Sequence, residues 1–381
     1  MIVAFRVDAS REIASGHVMR CLTLAGGLRE AGVESVFVCR AHPGHLGARI
    51  AAAGHRVELL APPVTVAAPH PAPVDDLPAA EGAAAGPFAR YGSWVGASWE
   101  DDAEETVAVL APLAPAWVVV DHYGLDARWE ARVARALGAR VLAIDGQADR
   151  VHDCDVLLDQ TYSPAGAARW DGLVPARCRR FAGPAYSLLR PEFERARAAV
   201  RARDGVVRRL LVAFGGVDRP GATGLALDVA AGVLPPGLPV DVIAGSGFAD
   251  LDGLERRCRA LPGATLHVEP PDVAALMAAA DLCVGGGGTM LWERCALGLP
   301  SIVVAIAPNQ IELSRVLAEA GACVFAGALG DEALAGALAR VLQSALADPG
   351  LVRDVGAAAA RLLEPPAGET PLDVVLTGLA G

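Results

Sequence analysis

The loop after the first predicted strand holds the residues best suited to acid–base chemistry. The strand ends near Asp8, a polar segment follows, and a helix begins at about Gly16 and His17. A histidine in the first turn of a helix lies at the positive end of the helix dipole, which disfavours the imidazolium form. A neutral imidazole accepts a proton, so His17 is a candidate general base. A structural histidine that caps the helix is an equal alternative.

A run of four glycines between a predicted strand and a predicted helix forms a second candidate site. Gly285–Gly288 precedes Thr289, and Glu293 lies about one turn into the helix. Glycines let the backbone approach a ligand closely, and the first N–H groups of a helix can bind an anion. This arrangement suits a pyrophosphate, with the Glu293 carboxylate available to two ribose hydroxyls. Tight packing of the strand against the helix is the competing explanation.

Three other segments follow predicted strands and carry polar or flexible residues. They are Gly215–Gly216, Asp121–Tyr123 and Asn309–Gln310. The glycine pair could line a ligand or simply turn the chain. The amide pair suits hydrogen bonds to sugar hydroxyls or acetamido groups, although an N-cap of the next helix explains it as well. The remaining histidines show no metal-ligand spacing, so we expect no metal site.

The pattern of apolar runs predicts how these residues are positioned. Runs of strand length alternate with helical patterns, which is typical of parallel sheets covered on both faces. The runs are Ile2–Val7, Ser35–Cys39, Arg56–Leu60, Ala116–Val120, Arg140–Ile144 and Asp155–Leu158, then Arg209–Phe214, Val240–Ala244, Ala264–Val268, Leu282–Val284, Ser301–Ile306 and Ala322–Phe325. Ligands of open α/β sheets bind beyond the carboxyl ends of strands, where the candidates lie. We predict an α/β protein with two Rossmann-like domains whose parallel sheets face a central cleft.

The predicted boundary between the two domains follows from turn residues in the middle of the chain. Gly183 and Pro184 interrupt the pattern, so we expect an N-terminal domain at 1–183 and a C-terminal domain at 184–381. The alanine- and proline-rich stretch 61–90 is expected to be an insertion or flexible loop. The tail from Glu364 onward has only a weak pattern.

Composition excludes several classes of function. The chain has 381 residues and a net charge of −11, and all 33 of its basic residues other than histidine are arginine. Without lysine there is no Walker-type P-loop and no Schiff-base chemistry. The acidic balance argues against a nucleic-acid partner. No apolar run has the length of a membrane span, no signal peptide is visible, and the scattered cysteines suggest buried thiols, so we expect a cytoplasmic protein.

Seven groups of motifs resemble one enzyme family. They are, in chain order, Phe5–Asp8 with Gly16–Leu22, Trp94–Gly96 with Trp99–Ala103, Val120–Asp126, Gly183–Phe193, Phe214–Asp218, Trp292–Ser301 and Asn309–Gln310. Together they resemble the UDP-2,4-diacetamido-2,4,6-trideoxy-β-L-altropyranose hydrolases of pseudaminic acid biosynthesis. The motifs span nearly the whole chain in order, which makes them far more specific together than singly.

The resemblance implies the two-domain GT-B architecture and a reaction. A UDP-linked diacetamido sugar would be hydrolysed at its anomeric carbon, with inversion and without a metal or other cofactor, and His17 would activate the water. The resemblance implies that Tyr123 and Asn309 hold the sugar, that Glu293 holds the ribose, and that the loop of Gly286, Gly287, Gly288 and Thr289 holds the pyrophosphate. We also expect Asp8, Gly16, Arg20 and Gln310 to bind the sugar, and Gly215 and Gly216 to bind UDP.

Two other functions fit the same motifs. A GT-B glycosyltransferase would move a UDP-linked amino sugar to an acceptor, and a non-catalytic module would only bind the nucleotide sugar. A transferase normally has an apolar or basic membrane-docking patch on its first domain, and none stands out in the sequence. The intact His17 loop argues against a silent module.

Overall fold

The computed structural model describes most of the chain. The described residues are 1–10, 12–63, 86–216, 218, 221–245, 247–248, 250–364, 366 and 368–380, with the backbone alone at 86–90, 309 and 380. Most of the insertion that the sequence predicts at 61–90 lies outside them. By its internal packing the chain divides into two units, Met1–Leu188 with Pro366–Gly381, and Leu189–Pro365.

The first unit is built on a seven-stranded parallel sheet with the strand order β3-β2-β1-β4-β5-β6-β7. The strands are β1 (Ile2–Val7), β2 (Glu34–Arg40), β3 (Arg56–Leu60), β4 (Trp117–Asp121), β5 (Arg140–Ile144), β6 (Val156–Asp159) and β7 (Arg179–Ala182). The helices are α1 (Gly16–Glu30), α2 (Gly47–Ala52), α3 (Gly86–Val95), α4 (Trp99–Leu110) and α5 (Ala127–Leu137).

Alternate residues of a strand point to opposite faces, so the first sheet has two apolar layers. Val3, Phe5 and Val7 of β1 pack in the layer that includes α1. Ala4 of the same strand packs in the other layer, together with Trp129 of α5. Because both faces are covered, β4 is buried throughout and β1 is buried from Val3 to Val7, which explains their nearly continuous apolar sequences.

The second unit repeats this architecture with a six-stranded parallel sheet in the order β10-β9-β8-β11-β12-β13. Its strands are β8 (Leu210–Ala213), β9 (Val240–Ala244), β10 (Ala264–Val268), β11 (Leu282–Gly286), β12 (Ser301–Ala305) and β13 (Val324–Ala328). Its helices are α6 (Pro191–Ala199), α7 (Ala222–Val233), α8 (Leu251–Ala260), α9 (Val273–Ala279), α10 (Met290–Ala296), α11 (Ile311–Glu319), α12 (Leu334–Ala347) and α13 (Pro349–Leu362).

The last helix, α14 (Pro371–Ala380), packs in the first unit, which corrects the sequence-based boundary between 183 and 184. Its buried Val375 belongs to the same apolar layer as α1. A Cβ on Gly27 of α1 would lie 2.8 Å from a methyl carbon of Leu372, so the two helices meet at a residue without a side chain. The chain therefore leaves the first unit at 188 and returns to it at 366.

The predicted α/β class with two parallel sheets is confirmed, and the strands agree with the predicted runs except for β7, which the sequence did not indicate. In each sheet the strand order reverses beside the first strand, between β1 and β4 and between β8 and β11. Such a reversal is where doubly wound folds bind ligands. Among the described residues, no helix combines the length and the apolar character needed to cross a membrane.

Candidate functional site

His17 and Asp121 form a hydrogen bond at the point where the first sheet reverses. β1 and β4 are neighbours, with Val7 opposite Asp121, so the start of α1 lies beside the end of β4. His17 Nδ1 is 2.5 Å from Oδ1 of Asp121. Because a carboxylate can only accept, Nδ1 donates this bond, and in the neutral imidazole Nε2 is then the atom that can accept a proton. This is the orientation that a general base requires.

Arg20 forms a bidentate ion pair with the same carboxylate. Its Nε lies 2.5 Å from Oδ2 of Asp121 and its Nη2 lies 2.5 Å from Oδ1. Burial by itself would raise the pKa of the Asp121 carboxyl, but the Arg20 charge and the hydrogen bonds from Arg20 and His17 outweigh burial and hold that pKa well below its usual range. Asp121 is therefore ionised at neutral pH and available to orient His17.

Three partly exposed rings, Tyr91, Trp94 and Tyr123, form an aromatic cluster beside His17. The Tyr123 ring lies edge-on to the imidazole, with centroids 4.7 Å apart. Tyr91 is 5.4 Å from Tyr123 and 4.9 Å from Trp94, measured between centroids. Burial raises the pKa of the Tyr123 hydroxyl, which therefore stays protonated and able to donate a hydrogen bond at neutral pH.

A network of buried charged side chains begins at Asp145, just after β5, and reaches the Tyr123 ring through Arg150. Asp145 is 2.8 Å from Arg150 Nη1 and 2.9 Å from His152 Nε2. His152 Nδ1 is 2.6 Å from Glu130, and the carbon centre of the Arg150 guanidinium lies 5.7 Å from the Tyr123 ring centroid. Burial opposes protonation of His152, but the two carboxylates outweigh it and raise its pKa to about 10. The imidazolium thus holds two acids in place below the site.

Asp8 lies in a second buried charge network. Its Oδ1 is 2.7 Å from Nη1 of Arg6 and accepts a hydrogen bond from the backbone N–H of Arg40, also at 2.7 Å. Its Oδ2 lies 3.4 Å from Nε2 of His122 and 3.7 Å from Nε2 of His42. Burial would raise the pKa of Asp8, but the Arg6 charge outweighs it and keeps that pKa well below normal. Asp8 thus links β1 to β2, and its predicted contact with a sugar stays a prediction.

In the second unit, Arg294 holds the glycine loop from within. The side chain is fully buried, and its Nη2 donates to the carbonyl of Gly286. A Cβ on Gly285 would lie 1.9 Å from Nη1 of Arg294 and 2.4 Å from the carbonyl oxygen of Ala213. Glycine is therefore required at 285 for close packing, which is the alternative explanation that the sequence left open for part of this loop.

Gln310 holds the other side of the same loop. Its Oε1 accepts from the backbone N–H groups of Gly287 and Ile306, each at 3.1 Å. Gly288 and Thr289, which follow Gly287 in the loop, are exposed. Since the side-chain oxygen is used twice by the backbone, the Gln310 side chain keeps only its NH₂ group to offer to a ligand.

Glu293 in α10 carries a buried oxygen without a partner among the described residues. Arg190 Nε is 2.9 Å from Oε1, whereas Oε2 has no hydrogen bond within that part of the chain. Burial raises the pKa of the carboxyl, and the Arg190 charge only partly opposes this. A buried acceptor without a donor is costly, and a ligand hydroxyl would relieve that cost.

Two further loops of the second unit meet at the carboxyl ends of β8 and β9. Gly215 has a φ of +108°, which favours glycine. A Cβ on Gly245 would lie 2.3 Å from the carbonyl oxygen of Gly216, so the backbones touch directly. Asp218 accepts from the N–H groups at the start of α7. This places the predicted Gly215–Gly216 pair at a strand end where the backbone favours glycine at 215 and requires it at 245, whereas a Cβ on Gly216 would meet no atom within 4 Å.

The structure brings several predicted residues together and leaves others apart. In the first unit Gly16 begins α1 and His17 contacts Tyr123. His17 and Arg20 both bond to Asp121. In the second unit the loop 286–289, Glu293 and Gln310 belong to one region, and the side chain of Asn309 is outside the described set. The partnership of Asp121 with His17 was missed, although the position of Asp121 at the end of an apolar strand was the available signal.

Two doubly wound parallel units with candidate residues at both reversals define the fold of GT-B glycosyltransferases. MurG of Acinetobacter baumannii matches with a TM-score of 0.60 at 15% identity, over 99% of this chain and 98% of that structure. The spinosyn rhamnosyltransferase SpnG complexed with thymidine diphosphate matches with a TM-score of 0.62 at 17% identity, over 100% of both chains. At these identities the likeness establishes the fold.

Curated relatives include the enzyme that the motifs resemble. The UDP-2,4-diacetamido-2,4,6-trideoxy-β-L-altropyranose hydrolase of Campylobacter jejuni is 24% identical over 206 residues, 54% of this chain and 71% of that protein. The spore coat polysaccharide biosynthesis protein SpsG of Bacillus subtilis is 29% identical, over 45% of this chain and 51% of its own length.

A third relative is a transferase. The UDP-N-acetylglucosamine–N-acetylmuramyl-(pentapeptide) pyrophosphoryl-undecaprenol N-acetylglucosamine transferase of Xanthomonas euvesicatoria is 37% identical, over 30% of this chain and 28% of its own length. No protein-family model matches the chain. The chain is thus related to enzymes that act on UDP-sugars.

Proposed function

We propose that the protein hydrolyses a UDP-linked diacetamido sugar and releases UDP. The substrate we assign is UDP-2,4-diacetamido-2,4,6-trideoxy-β-L-altropyranose, the sugar nucleotide named for the Campylobacter jejuni relative. The observation that carries the proposal is the pair of His17 and Asp121, 2.5 Å apart at the carboxyl ends of β1 and β4. Their hydrogen bond leaves Nε2 of His17 as a proton acceptor.

In the proposed reaction a water molecule attacks the anomeric carbon opposite the departing phosphate. The new C–O bond forms as the bond between the sugar and the UDP oxygen breaks, so the configuration inverts. The electron pair leaves with UDP, and the proton of the water passes to Nε2 of His17. UDP is a good leaving group and needs little acid assistance. The base is expected to contribute roughly 10²–10⁴-fold in rate.

The nucleotide half of the substrate is assigned to the second unit. The backbone of the loop 286–289 would bind the pyrophosphate, because Gly288 and Thr289 are exposed there. The unpartnered Oε2 of Glu293 would accept a hydrogen bond from a ribose hydroxyl, with Oε1 held by Arg190. Gly215 and Gly216 would approach UDP through their backbone. The anion is then bound without lysine, against a net charge of −11.

The proposed sugar contacts are given for each unit by itself. In the first unit, Tyr123, which contacts His17, would donate its hydroxyl to the sugar. In the second unit, the NH₂ group of Gln310 is the donor that we propose. Gly16, Arg20 and Asn309 complete the proposed sugar contacts. Asp8 is fully buried and paired with Arg6, so we assign it a supporting role beneath the sugar site. The reaction as written uses no metal and no organic cofactor, and we expect it in the cytoplasm.

The experiment that tests the proposal follows UDP release from the sugar nucleotide in water enriched in ¹⁸O. Attack at the anomeric carbon places the label in the free sugar, whereas attack at phosphorus places it in UDP. We expect label in the sugar and loss of at least 100-fold in kcat for His17→Ala. The matched control is His267→Ala, since His267 Nε2 is 2.8 Å from Asp241 in the second unit, outside the proposed machinery. Absence of UDP release by the unaltered protein contradicts the proposal.

A glycosyltransferase is the second candidate function. It is favoured by the 37% identity with the N-acetylglucosamine transferase and by the transferase structures of the same fold. His17 would then take a proton from an acceptor hydroxyl instead of from water. Mass spectrometry of products formed with and without added acceptors separates the two. Free sugar formed at the same rate in both conditions supports hydrolysis, and a glycosylated acceptor supports transfer.

A further inference from the structure

Two residues of the aromatic cluster have no role in the function proposed above. Tyr91 and Trp94 lie three residues apart on α3, so both side chains are on the same side of the helix. The Trp94 ring centroid is 6.0 Å from Tyr123 and 6.4 Å from the His17 imidazole. Both residues are only partly buried. The cluster is therefore an accessible aromatic surface in direct continuity with the candidate base.

The backbone around the cluster keeps it in place. A Cβ on Gly124, the residue after Tyr123, would lie 2.6 Å from a methyl of Val95 and 2.7 Å from the carbonyl oxygen of Tyr91. The end of β4 is thus packed directly on α3. Arg150 lies 5.7 Å from the Tyr123 ring and is itself paired with Asp145. The rings therefore form a surface of fixed shape, which discriminates between ligands better than a mobile one.

The face of an aromatic ring attracts methyl and other C–H groups and interacts only weakly with hydroxyl groups. A 2,4-diacetamido-2,4,6-trideoxy sugar carries three methyl groups, one at C6 and one on each acetamido group. A UDP-linked N-acetylhexosamine has a hydroxymethyl group at C6 and a hydroxyl at C4 instead. The two kinds of sugar thus differ in the property that an aromatic surface recognises.

We infer that Tyr91 and Trp94, with Tyr123, receive the methyl-bearing face of the sugar and select 6-deoxy diacetamido sugars over ordinary N-acetylhexosamines. This inference rests on the proposed function, because it assigns the sugar specificity of the same site. Apolar pockets discriminate by roughly 10–200-fold for each methyl-sized group. Tyr91 and Trp94 are specificity residues, and the proton transfer remains with His17.

The first test compares kcat/KM for UDP release from the diacetamido sugar nucleotide and from UDP-N-acetylglucosamine. We expect Trp94→Ala to lower the preference for the diacetamido substrate by about 10-fold or more, through KM. Trp94→Phe should retain most of the preference because a ring remains. The matched control is Trp99→Ala, since Trp99 of α4 packs beneath Arg128 of α5 and makes no ring contact with the cluster within the described part of the chain. Equal preference in Trp94→Ala and the unaltered protein overturns the inference.

The second test separates this inference from the proposed reaction. Saturation-transfer NMR with the free diacetamido sugar reports which methyl groups touch the protein, whether or not UDP is released. We expect methyl signals with the unaltered protein and with Trp99→Ala, and their loss with Trp94→Ala, with melting curves to verify folding. Methyl signals that persist in folded Trp94→Ala overturn the inference. Lack of UDP release by the unaltered protein overturns only the reaction.

Discussion

His17 and Arg20 share one oxygen of Asp121: Nδ1 of His17 and Nη2 of Arg20 each lie 2.5 Å from its Oδ1. The two hydrogen bonds have different roles. The imidazole is oriented by the carboxylate, and the guanidinium compensates the charge of a buried acid. A buried carboxylate can thus orient a base without remaining an uncompensated charge.

Asp121→Asn is expected to lower kcat for UDP release by about 10²–10⁴-fold with little change in KM. The amide can donate to Nδ1, which favours the tautomer with its proton on Nε2 and removes the acceptor. Initial rates over a range of substrate concentrations separate the two constants. Asp241→Asn is the matched control, because Asp241 pairs with His267 far from the site in sequence. A loss below threefold in Asp121→Asn contradicts the orienting role.

Glu293→Gln is expected to weaken UDP binding by about 10-fold, because the ribose loses a charged acceptor. The same substitution should leave binding of 2′,3′-dideoxy-UDP unchanged, since that ligand has no hydroxyl to lose. Isothermal titration with both ligands and both proteins gives a double-mutant cycle. An equal loss for the two ligands would place Glu293 elsewhere than at the ribose.

The pH dependence of UDP binding follows from the same residue. Burial raises the pKa of Glu293, so protonation begins at a higher pH than for an ordinary glutamate. A protonated carboxyl accepts less well, and UDP affinity should fall as the pH is lowered through this pKa. In Glu293→Gln the acidic fall should be reduced. Titrations at several acidic pH values above the unfolding range measure both curves.

His152 is expected to make folding stability depend on alkaline pH. The pKa of His152 is about 10 in the folded protein and 6.5 for an unperturbed histidine, as in the unfolded chain. The stabilisation is therefore complete below about pH 6.5 and is lost as the pH rises through 10. Tm should therefore fall across this window, and His152→Gln should show a flatter curve with a lower Tm at pH 7, by roughly 5 °C. Parallel curves for the two proteins would exclude this contribution.

Gly285→Ala is expected to destabilise the second unit by about 3 kcal/mol, with a Tm lower by roughly 10 °C. A Cβ there would meet Arg294 Nη1 at 1.9 Å and a backbone carbonyl at 2.4 Å. Gly286→Ala is the matched control for stability, because its Cβ would have ordinary contacts at 3.7 Å. Thermal melting of both variants decides whether the first glycine serves packing, as the structure indicates. Equal Tm values for the two variants would contradict this role.

The sequence by itself determined the α/β class and the position of twelve of the thirteen strands, because apolar periodicity is a local property. The same local rules placed His17 and the glycine loop at strand ends. They could not detect β7, in which only Phe181 is buried, whereas the equally short β6 and β8 are buried throughout. They also could not assign α14 to the first unit, because the sequence of a short helix does not indicate which sheet it packs against.

Only the tertiary structure decided which residues become partners. His17 and Asp121 are 104 residues apart, and Arg190 and Glu293 are 103 apart. Such pairs follow from the order of strands in a sheet, which local patterns do not encode. The structure also separated Asp8, buried beneath the site, from Arg20, which shares Asp121 with His17. Residue types thus defined what chemistry is possible, and the packing of distant segments selected the groups that can perform it.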